Sequence, residues 1–210
     1  MCGLFVLGTA WPALAEYYDR PRELDVTGPY TQEGSGMVFP ERVGGFERMG
    51  VVSYNSERTD ESVNYLLESG GKQVVMTVYV YPVPASLGAA LAQALSREEI
   101  ARNMAVLGEQ FFAEEEQIVL EYHQGAEVLD ERETYFDQRG TSHPGYVATF
   151  RYDEDFFGRI QPVVSQLYLF SMVGKNWMVK YRATYPDGLD GASEATQFID
   201  ALPWTLKDLR

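Results

Sequence analysis

Lys180 and Arg182 stand two residues apart in NWMVKYRATY. On an extended strand that spacing sends both side chains from one face, about 6.5 to 7 Å apart. Trp177, Val179, Tyr181, Ala183 and Tyr185 take the other face. Arg151, in GYVATFRY, shares a face of its own strand with Val147 and Thr149. If these strands lie in one sheet in matching register, three cations converge on one side of it, beside Gln166 or Tyr168. Cations held against an apolar sheet are costly unless an anion relieves them. The anion is either internal, from helix acids such as Glu109 or Glu114, or external, which makes Arg151, Lys180 and Arg182 an anion or acidic-peptide site.

Other chemistries find less material. The two histidines, His123 and His143, have no His-x-x-x-His or cysteine pair beside them, so the sequence nominates no metal ligands. His123 falls near a helix C-terminus, where the helix dipole favours it, and His143 sits in the loop-like SHPG. Glu114-Glu115-Glu116, Asp153-Glu154-Asp155, and Asp187 with Asp190 all lack the alternating spacing of a calcium loop. No Gly-x-Ser-x-Gly elbow occurs. Gly70-Gly71-Lys72 lacks the rest of a phosphate-binding loop and reads as a turn. No catalytic residue, metal or cofactor is nominated. A hydrolase or metal-dependent enzyme built on His143 and nearby carboxylates stands as the alternative.

The 210 residues carry 31 acidic against 17 basic side chains, a formal charge of -14. That balance opposes binding to nucleic acid or to anionic lipid, both of which need Lys and Arg. Hydrophobic residues at 45% and charged residues at 23% are ordinary for a globular domain. From Gly3 to Leu14 the chain is mostly apolar and uncharged, too short for the roughly 20 residues of a membrane span. With the small-x-small sequence Ala13-Leu14-Ala15, residues 1–15 read as a signal peptide and Glu16 as the mature start. No Lys or Arg precedes the run, so the leader reading needs a start further upstream. A buried first strand is the alternative, and Pro12 counts against it. The lone Cys2 would leave with the leader, and the mature chain would be periplasmic or otherwise exported and free of disulfides.

Residues 16–36 are polar and rich in Pro and Gly, a flexible arm or linker before one domain over 37–210. Strands are expected at Phe46–Asn55, Glu61–Ser69 and Gln73–Pro82, the last two joined at Gly70-Gly71 as a hairpin. A long helix follows, with Ser96 and Glu99 as a capping box and Ile100, Met104, Leu107, Phe111 and Ile118 as its apolar stripe. Four strands come next: Ala126–Phe136, Gly145–Tyr152, Gln161–Val173 and Asn176–Tyr185. A short helix closes the chain, with Asp190 as N-cap and Phe198, Ile199 and Leu202 inward. In Gln161–Val173 both faces are apolar, Val163, Leu167 and Leu169 on one and Val164, Tyr168 and Phe170 on the other. Such a strand belongs inside a sheet covered on both sides. The fold class is therefore α+β, a mostly antiparallel sheet of about seven strands between a long central helix and a C-terminal helix.

This order of elements, from about Phe39 to Leu209, resembles the fold shared by the photosystem II extrinsic protein PsbP and the Ran-binding Mog proteins. The stretch GRIQPVVSQLYLFSMVGKNWMVKYRATYP is similar to the C-terminal half of uncharacterised exported bacterial proteins. The resemblance implies a PsbP-like α/β/α sandwich and a binding or assembly role, and it transfers no functional motif. The expectation is an exported, soluble binding or assembly module whose partner is a protein or a small anionic ligand.

Overall fold

Alternation of β-branched and aromatic residues favours strand along much of this chain. The computed structural model describes residues 17–83, 97–123, 125–138, 141–172 and 177–206. The leader expected over 1–15, Ser96 of the capping box and the Gly174-Lys175 link lie outside the described residues. The elements are β1 (Tyr17–Leu24), β2 (Tyr30–Thr31), β3 (Val38–Phe39), β4 (Arg42–Val43), β5 (Phe46–Asn55), β6 (Glu61–Ser69) and β7 (Lys72–Pro82). After α1 (Arg97–Tyr122) come β8 (Glu127–Gln138), β9 (Thr141–Asp155), β10 (Ile160–Met172), β11 (Trp177–Pro186) and α2 (Gly191–Ala201).

Nine strands form the main sheet in the order β1-β5-β6-β7-β11-β10-β9-β8, with β4 added beside β5, and every pairing is antiparallel. The fold is α+β with a helix on each face, as expected. At the β6–β7 hairpin Ser69 pairs with Lys72, and both intervening glycines take positive φ, 60° at Gly70 and 79° at Gly71. Two such residues match the right-handed twist of the flanking strands. β10 lies between β9 and β11 and is buried from Val163 to Phe170, which bears out its doubly apolar reading.

The two helices cover different cores. Under α2, Phe198 meets Phe46 and Tyr65 edge-on, both with ring centroids at 5.0 Å, and Ile199 and Leu202 are buried beside it. Asp190 caps this helix, accepting from the Ser193 N–H. On the other face Leu107, Phe111 and Val119 of α1 pack on Tyr146, Phe150 and Leu169. Both helices come close through glycine: a Cβ on Gly108 would fall 2.1 Å from Tyr146, and one on Gly191 would fall 2.2 Å from Tyr185.

Three expectations change. The stripe of α1 does not run to Ile118, which is 47% exposed. The inward row is Leu107, Phe111, Glu115 and Val119, each four residues from the last, so a carboxylate occupies a core-facing position. The side chains of Ile100 and Met104 lie outside the description. Second, residues 17–36 are no tether. Tyr17–Leu24 pairs with β5, and Tyr30, Gln32 and Ser35 are buried. Gln32 Nε2 donates to the Val80 carbonyl at 3.0 Å, and Ser35 Oγ donates to Gln32 Oε1. These polar groups are satisfied inside the fold, which a polarity reading cannot see. Third, β1 and β4 raise the strand count above the expected seven or so.

Candidate functional site

Directly opposed residues of neighbouring strands point to one face of a sheet. Lys180 lies between Tyr79 of β7 and Leu169 of β10, and Arg182 between Thr77 and Leu167, so both cations face α1. Each is answered from within the chain. Lys180 Nζ reaches Glu115 Oε1 at 2.6 Å, where the two side chains are 19% and 9% exposed, and it lies 4.9 Å from the centre of the Tyr79 ring. Burial by itself would lower the Lys180 ammonium, but the Glu115 charge overrides this and holds it above its ordinary value.

Arg182 donates from Nη2 to Tyr152 Oη at 2.5 Å and from Nε to Ser165 Oγ at 3.2 Å. Glu154 Oε2 stands 3.9 Å from the same guanidinium, buried and without a hydrogen-bond partner among the described residues. The His123 ring, just past the end of α1, stacks on Tyr152 with centroids 3.7 Å apart. Burial pushes the His123 imidazole below its ordinary value, and Arg182 adds to this against the pull of Glu154. His123 is therefore neutral at pH 7.

The paired cations border a polar floor. Ser62 opposes Tyr79 and Asn64 opposes Thr77 across β6 and β7. Thr77 Oγ1 donates to Asn64 Oδ1 at 2.8 Å, and the Tyr54 and Ser62 hydroxyls are 3.1 Å apart. Tyr54, Asn64 and Tyr79 are half-buried, Ser62 and Thr77 buried. Burial raises the Tyr54 and Tyr79 phenols and pushes Tyr81 up to about 12, so all three stay protonated donors at neutral pH.

Arg151 does not join this group. It opposes Val164 on β10, whereas Arg182 opposes Leu167, and an odd separation along one strand puts the two on opposite faces. Arg151 is 44% exposed and pairs with Glu127 at 2.7 Å and Asp187 at 3.7 Å. Gln166 and Tyr168 lie on the Arg151 side and hydrogen-bond each other at 3.1 Å. The expected gathering of three cations is thus two and one. The internal acids named from sequence, Glu109 and Glu114, are exposed, and Glu115 answers Lys180 because only it lies in the inward row. His143 packs on Trp204, with centroids 5.0 Å apart, and burial lowers it against the pull of Asp137. Among the described residues no group of three or more His, Cys, Asp or Glu could hold a metal.

Sequence reasoning also passed over a polar trio on the α2 face. Arg58, at a positive φ of 54°, donates to Glu61 Oε1 at 3.1 Å and to Tyr30 Oη at 2.7 Å, while Tyr30 Oη donates to Glu61 Oε2. Arg58 Nη1 also reaches Glu33 Oε1 at 3.4 Å, and together these bonds fasten the β2 segment to the β5–β6 turn. This is a latch.

No protein-family model matches the chain, and no curated protein matches it. Among solved structures it is similar to cyanobacterial PsbP (CyanoP) from Synechocystis sp. PCC 6803, at 11% identity and a TM-score of 0.38, over 94% of this chain and 92% of that one. It is also similar to the Saccharomyces cerevisiae Ran-binding protein Mog1p, at 15% identity and a TM-score of 0.35, over 88% of this chain and 85% of that one. These belong to the two families that the order of elements resembles. Neither likeness bears on what the chain binds.

Proposed function

We propose that this chain works by binding, as an exported module that holds or assembles a partner without catalysing a reaction. One observation carries the reading: the α1 side of β5, β6, β7 and β11 is floored by Tyr54, Asn64, Thr77, Tyr79 and Arg182, whose side chains are held by hydrogen bonds, Tyr54 with Ser62, Thr77 with Asn64, Tyr79 with Arg182 and Arg182 with Tyr152. Polar groups held in place before contact lose little freedom on binding, which favours recognition. Lys180 and Arg182 contribute as neutralised, donor-rich groups, so a partner offering hydroxyl, amide or carbonyl groups suits the floor better than a free anion does. The export part of the reading is supported by the apolar run Gly3–Leu14 and Ala13-Leu14-Ala15.

Photo-crosslinking side chains placed at Tyr54, Tyr79 and, as a control on β5, Met49 test this in the native compartment. One defined adduct from positions 54 and 79, absent from 49, in an extracytoplasmic fraction and on a chain starting at or near Glu16, is expected. Equal labelling from all three positions would overturn the binding face. Full-length chain in the cytoplasm would overturn export.

A further inference from the structure

The two edges of the main sheet are built differently. β1 carries Arg20, Pro21 and Arg22, and its pairing with β5 breaks between Tyr17 and Arg22. Proline and an interrupted register blunt an edge against further strands. β8 closes the other edge, pairs among the described residues only with β9, holds no proline, and runs without a register break from Asp130 to Gln138. Val128, Leu129 and Tyr135 are exposed along it. An open ladder with apolar side chains beside it is a template for another strand.

Charge selects the strand. On the α1 side the edge shows Glu131 and Glu133, which oppose Ala148 and Tyr146 of the covered core. Glu109 and Glu116 of α1 lie alongside: burial and the Glu116 charge raise the Glu131 carboxyl, and Glu133 and Glu109 act together on the Tyr146 phenol. None of these four carboxylates has an ion pair among the described residues, while Arg132 is engaged with Asp130 at 2.9 Å. A second copy of β8 would set acids against acids, which is unfavourable across a ladder. We infer that the β8 edge receives an extended, lysine- or arginine-bearing segment of a partner protein, added as an outer strand. Its backbone completes the ladder, and its basic side chains lie on the α1 side against Glu131 and Glu133.

The test uses the full chain and two labelled nine-residue peptides of alternating Lys and Val or Thr, equal in charge. One has a normal backbone, and the other is N-methylated at consecutive residues, which removes the N–H donors of both edges, and so cannot pair as a strand. Anisotropy titration is expected to show the normal peptide binding at least tenfold more tightly. Amide exchange at Glu133–Asp137 should slow with that peptide alone. Glu131→Gln with Glu133→Gln should weaken it at least tenfold, and Glu98→Gln with Glu121→Gln, the same charge change elsewhere on exposed positions, should not. Equal affinity of the two peptides, or equal weakening by both variant pairs, would mean attraction by net charge only and overturn the proposal. So would a stable dimer joined through β8 in solution, which would make the second copy the occupant.

Discussion

The central strands present two unlike faces, and the contrast assigns their work. Toward α2, β7 shows Val74, Met76, Val78 and Val80 and β11 shows Trp177, Val179, Tyr181 and Ala183, all essentially without exposure. Toward α1 the alternate residues are Val75, Thr77, Tyr79 and Tyr81, and Met178, Lys180, Arg182 and Thr184. Each apolar side chain on the first face adds burial and asks nothing of its neighbours. Each polar group on the second must be matched, as Lys180 is by Glu115 and Arg182 by Tyr152 and Ser165. A buried ion pair rarely adds stability beyond an apolar pair of like volume. On the reading proposed above, the second face keeps its arrangement for binding rather than for folding strength.

The largest effect should come from moving charge to the wrong face. Val179→Asp places an unpaired carboxylate in the α2 core and should cost more than about 4 kcal/mol, leaving little folded protein. Thr77→Asp, on the other face opposite Arg182, should cost about 1 kcal/mol or less. Far-UV circular dichroism through a denaturant titration compares them, and equal losses would erase the contrast.

Next comes the pair itself. Glu115→Gln strands the Lys180 ammonium and should cost about 3–5 kcal/mol, whereas Glu115→Leu with Lys180→Met should recover most of it. A double variant no better than the single would show that the pair itself holds the fold. Smaller again is the difference between the arginines. Arg182→Ala should lose about 2 kcal/mol with its charge-assisted hydrogen bonds. Arg151→Ala, which breaks exposed ion pairs, should lose between about 0 and 1 kcal/mol.

Several of these positions were open to sequence reasoning and several were not, for physical reasons. The doubly apolar β10, the Gly70-Gly71 turn and the alternation in β11 depend on neighbours along the chain, so period and turn chemistry declare them. The side taken by Arg151 depends on how β9 meets β10 through the turn at Phe157 (φ 55°) and Gly158 (φ 79°). One residue of register would have moved it to the other face. Glu114, Glu115 and Glu116 look alike in a row, and only the phase of α1 over the sheet picks out Glu115. Gln32 and Ser35 look like linker because their partners are distant backbone and each other.

The smallest expected effect is with pH. His123 and His143 both sit below their ordinary value because burial disfavours the charged ring. The folded state thus takes up protons less readily than the unfolded chain. Their contribution is complete above the unfolded value near 6.5 and is lost as pH falls below it through the folded values. His123→Phe keeps a ring on Tyr152 and should flatten part of that decline in thermal melts between neutral pH and pH 5. An unchanged slope would mean that His123 titrates alike in both states.

The division of labour between the faces meets its most direct test in Asn64→Asp with Tyr79→Phe, a variant that keeps the acceptor for Thr77 and the ring beside Lys180 while changing the donors of the polar floor. The account predicts a melting temperature within a few degrees of the parent chain, together with loss of the defined adduct formed by the cross-linker at position 54. An adduct formed in undiminished yield by that stably folded variant would contradict it.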